Sequence, residues 1–172
     1  DEVTGLVEWP NVIMGQIETE FMSLPPEVLV TSMRVHQKFF ALSQKGATEN
    51  LAPFFMTVTN RRSDLVNDKL IAAGNERVLR ARLADAKFFY EQDKQTPLDS
   101  LAEKLEVITF YEGLGSVADK AERMAALAGA IANHLDAADP DTARRAAVLA
   151  KVDLASEMVG EFPELQGIMG GY

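Results

Sequence analysis

Basic side chains concentrate in one window of the sequence, and this window could bind phosphate groups. Residues 61–87 contain seven lysines and arginines against four acidic residues, in a chain with a formal net charge of −9. At about 100° per residue in a helix, Arg77, Arg80 and Lys87 fall on one face, away from the apolar arc formed by 78–83. The spacing alone favours an ordinary solvated helix, although such a face can hold phosphates. Because this is the net-positive window of an acidic chain, we predict that these three side chains contact a nucleic-acid backbone.

Arg82 differs from its basic neighbours because it falls inside the apolar arc of the same helix. Asp85 follows three residues later, which is the spacing of a helical side-chain pair. A cation directed towards a core needs a carboxylate partner. We therefore expect Arg82 and Asp85 to form a structural ion pair.

Residues that could carry catalysis are few. The chain has no cysteine and two histidines, His36 and His134, which do not belong to a metal-binding motif such as HExxH. No nucleophile elbow, P-loop or GxGxxG motif is present, and Ser116 has no lysine three residues later. The sequence predicts no catalytic residue, no metal site and no cofactor held by this chain.

Three carboxylates could nevertheless share one helical face. Asp153, Glu157 and Glu161 are spaced by four residues, and paired carboxylates can transfer protons or hold hard cations. Gly160 is expected to end the helix before the third of them. We favour a solvated acidic stripe over a functional site.

Length and composition restrict the class of protein. The 172 residues correspond to one large domain or two small ones, and the hydrophobic fraction of 47% excludes wholesale disorder. No apolar run approaches the length of a membrane span, and the acidic start lacks the layout of a signal peptide. Together with the absence of cysteine, this predicts a soluble cytoplasmic protein with no membrane partner.

The elements predicted from periodicity change in kind along the chain. Strand-like segments at 38–42 and 54–59 predict a β-hairpin with a loop at 43–50, backed by a helix at 25–37 and joined by a third strand at 12–17. The aromatic residues of these segments and Trp9 are expected in the core. The later residues predict helices, one from an N-cap at Asn75 to Asp93 and one from an N-cap at Asp139 to Gly160. Another begins at the capping box of Ser116 and Asp119, and its predicted apolar face consists of Ala121, Met124, Leu127, Ala128, Ile131 and Leu135. The chain therefore reads as α+β and mainly α, with a mixed segment at 1–62 and a helical domain at 63–172.

Three long segments carry a specific resemblance. They are LPPEVLVTSM (24–33) with HQKFF (36–40), GNERVLRARLADA (74–86) and EFPELQGIMG (161–170). In this order they closely resemble the β subunit of the bacterial heterotetrameric glycyl-tRNA synthetase, and the similarity covers nearly the whole chain.

The resemblance implies a function that spacing alone does not give. In this family the α subunit activates glycine with ATP and Mg²⁺, and the β subunit recognises and positions tRNA(Gly). The resemblance thus implies the α subunit and tRNA(Gly) as partners, not DNA, and a role without catalysis for this chain. A docking module for the α subunit is an alternative.

The resemblance also implies that residues 63–172 are similar to the HD phosphohydrolases, whose adjacent His-Asp pair binds metal ions. If that pair aligns within Leu149-Ala150-Lys151-Val152-Asp153, the aspartate is present and Val152 replaces the histidine. A metal-dependent HD-type phosphohydrolase is therefore the rival hypothesis, weakened by this valine.

Overall fold

A computed structural model describes residues 2–44, 47–135 and 139–172 of the chain. The chain divides into two compact units, Asp1–Phe88 and Phe89–Tyr172. The division lies inside a long helix, whereas the boundary predicted from the sequence, after residue 62, lies just before that helix begins. Each unit is described separately.

The first unit combines a small antiparallel sheet with helices. Its elements are α1 (Glu2–Leu6), β1 (Pro10–Gln16), a 3₁₀ turn (Thr19–Ser23), α2 (Pro26–Thr31) continued by a π-helical turn (Ser32–His36), β2 (Phe40–Gln44), β3 (Ala47–Asn60) and the larger part of α3 (Leu65–Gln95). The strand order is β1-β3-β2. The predicted hairpin, third strand and backing helix are confirmed. The predicted loop at 43–50 is too long, because β3 already begins at Ala47. Residues 45–46 of that loop lie outside the described part of the chain.

One face of the sheet forms the core of this unit around Phe55, which is fully buried and stacks on Phe39 with ring centroids 4.6 Å apart. Gly15 lies opposite Phe55 in the register of β1 and β3. A Cβ atom at position 15 would come within 2.3 Å of the Phe55 ring. Glycine is therefore required here because the aromatic ring crosses the neighbouring strand where a side chain would stand.

Helix α3 begins ten residues earlier than predicted, so Asn75 is an interior residue and not an N-cap. The helix starts after Asp64, whose carboxylate Oδ1 accepts a hydrogen bond from Val66 N at 3.1 Å. Leu79, Leu83 and Ala86 are its buried residues. The apolar periodicity after Asn75 marks this buried part, whereas the first turns of α3 contain no buried residue and expose Leu65, Val66 and Leu70.

The second unit is helical with one short hairpin. Its elements after α3 are α4 (Leu98–Lys104), a 3₁₀ turn (Leu105–Val107), β4 (Thr109–Tyr111), β5 (Gly115–Ser116), α5 (Val117–Leu135), α6 (Pro140–Leu149), and four short segments: 3₁₀ (Val152–Ala155), α7 (Glu157–Glu161), 3₁₀ (Pro163–Leu165) and 3₁₀ (Met169–Gly171). Leu101, Leu105, Val117 and Val152 form a core cluster. The class is α+β and mainly α, as predicted from the sequence.

The two predicted caps in this unit are confirmed. Ser116 N donates to Asp119 Oδ2 at 2.6 Å, and Asp119 N donates to Ser116 Oγ at 3.1 Å, which is a reciprocal capping box. Asp139 Oδ2 accepts from Thr142 N at 2.8 Å and starts α6.

Two other expectations are wrong. The helix predicted from Asp139 to Gly160 ends at Leu149, because the chain turns through a 3₁₀ segment and restarts at a new N-cap, Ser156, whose Oγ accepts from Val159 N. The apolar face predicted for α5 is also misplaced. Its buried residues are small, namely Val117, Ala121, Ala125, Gly129 and Ala132, whereas Leu127, Ile131 and Leu135 are exposed.

Candidate functional site

The cations predicted to bind phosphate lie on α3, and two of the three are paired within the first unit. Arg80 Nε bonds to Glu18 Oε1. Lys87 Nζ lies 2.7 Å from Glu20 Oε2. Arg77 is exposed and takes part in no ion pair among the residues that the structure describes. The helical wheel placed these cations outside the buried face, but it could not show that an acidic segment 60 residues earlier lies beside them.

The 3₁₀ turn Thr19–Ser23 brings the acidic residues to α3. Phe21, the central residue of this turn, is buried and lies 5.8 Å below the Lys87 ammonium group. A further contact joins the end of β1 to the same helix, where Gln16 N donates to Glu76 Oε1 at 2.9 Å. We call Glu18 and Glu20 the acidic strap. Both of its ion pairs are about half exposed, and such pairs contribute about 0–1 kcal/mol to stability.

The pairing predicted for Arg82 is not the one observed. Asp85 is exposed, and the ion pairs of the described residues do not include Arg82 with Asp85. Arg82 is half-buried, and its Nη2 lies 3.4 Å from Nδ1 of His36, which follows α2 in the π-helical turn. Asp85 lies just outside the buried arc of α3, so the helix directs its carboxylate to solvent and not towards Arg82.

The aspartate that the resemblance would align with an HD metal pair is structural in this fold. Asp153 is buried, and its Oδ2 accepts hydrogen bonds from Gly167 N and from Gly170 N, the latter at 3.3 Å. Val152 beside it is also buried and belongs to the core cluster of the second unit. This carboxylate holds the last turns of the described chain, and the valine cannot bind a metal ion. The HD-type phosphohydrolase is therefore not supported.

No other arrangement offers a metal site within residues 2–44, 47–135 and 139–172, where no three His, Asp or Glu side chains converge. The carboxylates of Asp153, Glu157 and Glu161 do not form one stripe. The first is buried under the glycine turns, whereas the other two are exposed on α7. The break between the 3₁₀ segment and α7 separates them, so the expected solvated stripe is wrong. Gly160 also does not end the helix before Glu161, because it lies inside α7.

A cavity of about 640 Å³ in the first unit is lined mainly by apolar side chains, among them Val12, Val30, Phe40 and Val58. Its charged lining consists of Arg34 and an ion pair between Lys38 and Glu2 at 3.0 Å. The lining contains no histidine, cysteine or serine. The lining therefore has no His-Ser or His-Cys pair for nucleophilic catalysis, and its hydroxyl group is that of Thr4.

An aromatic residue expected in the core proves to be exposed beside a cation. Trp9 is 56% exposed, and the guanidinium carbon of Arg62 lies 5.1 Å from its ring centroid. The two meet because Pro10, the first residue of β1, pairs with Asn60, the last of β3. The sequence did contain a signal for this contact, namely a tryptophan just before one strand and two arginines just after another. The signal can be used only when the register of the two strands is known.

Comparison with known proteins decides the family. The profile described as "Glycyl-tRNA synthetase beta subunit" matches residues 1–172, the whole chain. The chain belongs to the glycyl-tRNA synthetase β-subunit family. A glycine–tRNA ligase β subunit of Coxiella burnetii is 49% identical over 172 residues, and one of Rhodospirillum centenum is 51% identical over 174 residues. The β subunit of Bacillus subtilis is 49% identical over 173 residues and covers 99% of the chain.

Membership in the glycyl-tRNA synthetase β-subunit family confirms the resemblance found in the three sequence segments. The chain spans about a quarter of the length of these relatives, 24% of the first two and 25% of the third. No helix of the described residues has the length and apolar character that crossing a membrane requires.

Proposed function

We propose that this chain is a non-catalytic part of a glycine–tRNA ligase, which supports the attachment of glycine to tRNA(Gly) by positioning the tRNA and by scaffolding the subunits. The observation that carries the proposal is the family match over all 172 residues. The described side chains support the non-catalytic role, because the Asp153 carboxylate accepts backbone hydrogen bonds from Gly167 N and Gly170 N.

The partners and cofactors follow from the same proposal. A protein named as a β subunit implies an α subunit, and we propose that the α subunit binds ATP and Mg²⁺ and activates glycine. We further propose that the assembled enzyme works in the cytoplasm. Docking on the α subunit then belongs to the scaffolding role.

The proposal that this chain is not catalytic can be tested directly. The isolated chain should support no ATP–pyrophosphate exchange with glycine and should not charge tRNA(Gly), whereas an α subunit combined with a complete β subunit should do both. Exchange catalysed by the chain alone would contradict the proposal.

For tRNA positioning we keep Arg77, Arg80 and Lys87 as proposed backbone contacts. The acidic strap makes the three side chains unequally accessible to a phosphate. A phosphate must displace a carboxylate to reach Arg80 or Lys87, whereas Arg77 has no carboxylate partner among the described residues. Arg77→Gln should therefore weaken tRNA binding most and should lower the slope of log affinity against log salt by about 0.7–0.9.

The measurement is tRNA binding over a series of salt concentrations, with Arg34→Gln as a control that removes another exposed arginine of the same unit. Equal slopes for the Arg77 variant and the unchanged chain would mean that this face of α3 makes no phosphate contact. Its basic residues would then serve only to hold the acidic strap.

A further inference from the structure

We propose that Trp9 and Arg62 form a stacking site for an unpaired nucleobase of RNA. This inference rests on the proposed function, since it names a contact through which the chain would position tRNA. It concerns the junction of β1 and β3, away from the α3 residues that the sequence pointed to.

The geometry of the pair provides the first argument. Trp9 keeps 56% of its surface exposed, although burial of an indole ring is strongly favourable. The Arg62 guanidinium carbon lies 5.1 Å from the ring centroid, within cation–π distance. Proteins that bind unpaired RNA stack bases on aromatic rings and on arginine planes. The pair combines both kinds of surface, with the guanidinium over the indole ring.

The backbone around Trp9 is held in place, which distinguishes the residue from a loosely attached surface side chain. Asn60 Oδ1 accepts hydrogen bonds from Trp9 N at 2.8 Å and from Glu8 N at 3.1 Å. Pro10 follows directly and enters the ladder of β1 and β3 opposite Asn60. With the backbone fixed in this way, only the side-chain torsions of Trp9 remain to be ordered when a base stacks on the ring.

The charges near the pair leave Arg62 available for an anionic ligand. Arg62 is exposed and joins no ion pair among the described residues. The nearest aspartate in sequence, Asp64, is engaged in starting α3, where it accepts from Val66 N at 3.1 Å and from Asn67 Nδ2 at 2.6 Å. Arg61 lies 4.0 Å from Asp64, at the limit of an ion pair. Two adjacent arginines can thus contact a phosphate next to the stacked base.

These features select the class of ligand. A base inside a duplex has both faces covered by its neighbours, so a single exposed indole can stack only on a base that is unpaired or at an end. A free mononucleotide would gain the stacking but only one phosphate contact. The expected ligand is therefore a single-stranded or looped part of an RNA.

Trp9 reports on its own occupancy, because it is the only tryptophan of the 172 residues. The experiment titrates the chain with tRNA(Gly) transcript, with a single-stranded RNA dodecamer and with a blunt duplex of that dodecamer, and it follows tryptophan fluorescence. N-acetyltryptophanamide in the same titration corrects for absorption by the RNA. Binding is measured in parallel by gel shift, and circular dichroism confirms that each variant is folded.

We expect tRNA and the single strand to quench Trp9 and the duplex to leave it unchanged. Trp9→Leu should weaken tRNA binding about tenfold, as expected for the loss of one stacked base, while Trp9→Phe should retain part of the affinity. Arg62→Gln should weaken binding more than Arg62→Lys, which keeps the charge but not the plane, and Arg34→Gln serves as the control for lost charge.

The possible failures are distinct. If tRNA binds the chain but neither quenches Trp9 nor distinguishes Trp9→Leu from the unchanged chain, the stacking site is wrong and the proposed tRNA positioning stands. If no RNA binds the chain at all, tRNA positioning by this chain and the stacking site fail together. If the Trp9 and Arg62 variants instead disrupt assembly with the α subunit at unchanged tRNA affinity, the pair is a protein contact and the inference is overturned.

Discussion

Replacing Asp153 tests whether this residue stabilises the fold or binds a metal ion. The carboxylate accepts two backbone hydrogen bonds, from Gly167 N and Gly170 N. Hydrogen bonds to a charged group contribute about 1.5–3 kcal/mol each. Both glycines are exposed and the carboxylate itself is buried at a desolvation cost, so we take the lower end of that range. Asp153→Ala should then lower the free energy of unfolding of the second unit by about 3 kcal/mol.

Asp153→Asn should cost about half as much, because the amide oxygen still accepts both hydrogen bonds but without the negative charge. Urea unfolding followed by circular dichroism measures the loss. Hydrogen exchange then locates it, since the amides of Gly167 and Gly170 should exchange faster in both variants. Glu157→Ala, at an exposed carboxylate nearby, is the matched control and should change stability by less than about 0.5 kcal/mol.

Two results would refute this reasoning. If Asp153→Ala unfolds at the same urea concentration as the unchanged chain and protects Gly170 equally, the carboxylate does not hold the glycine turns. If the unchanged chain hydrolyses a phosphodiester with added Mn²⁺ and Asp153→Asn abolishes that activity, the residue is a metal ligand and the HD-type phosphohydrolase returns as the function.

The remaining predictions concern single side chains. Ser116→Ala should cost about 1 kcal/mol in thermal unfolding, the usual loss of an N-cap. The pKa of the Asp119 carboxyl lies below its ordinary value of 3.8, chiefly because Ser116 N donates to it. The stabilisation of the fold by this carboxylate is therefore complete above pH 3.8 and is lost as the pH falls through the lower pKa of the folded state. An NMR titration of Asp119 would follow this loss. Gly15→Ala should cost about 1–3 kcal/mol through overpacking, and Phe55→Leu in the same chain should recover part of that loss.

Local signals in the sequence predicted helices and caps better than they predicted which distant side chains would form contacts. The capping box of Ser116 and Asp119 was correct because its atoms are three residues apart and need nothing else. The contacts of Arg80 and Lys87 with the acidic strap join residues more than 60 positions apart. Helical spacing shows only which side of a helix a residue occupies, so the partner on that side was not predictable.

Helix α5 shows a second limit, since hydrophobicity predicted the wrong buried face. Its buried residues Ala121, Ala125, Gly129 and Ala132 are small, and a Cβ atom at Gly129 would meet the Arg144 side chain of α6 at 2.4 Å. Close approach of two helices favours small residues over large apolar ones. An apolar periodicity does not show whether a face is buried because its residues are large and apolar or because they are small. The large residues Leu127 and Ile131 are exposed, whereas the small ones are buried.

The end of α3 has a consequence for the order in which the second unit folds. The Asp93 carboxylate accepts hydrogen bonds from Glu157 N and Met158 N, both at 2.9 Å, at the start of α7. A helix of five residues is far too short to persist alone, because nucleation costs more than so few hydrogen bonds return. Helix α7 therefore forms late, after the last turn of α3 is in place to receive it. Destabilising substitutions at the buried residues of α7, Met158 and Val159, should accordingly speed unfolding while leaving the rate of folding almost unchanged.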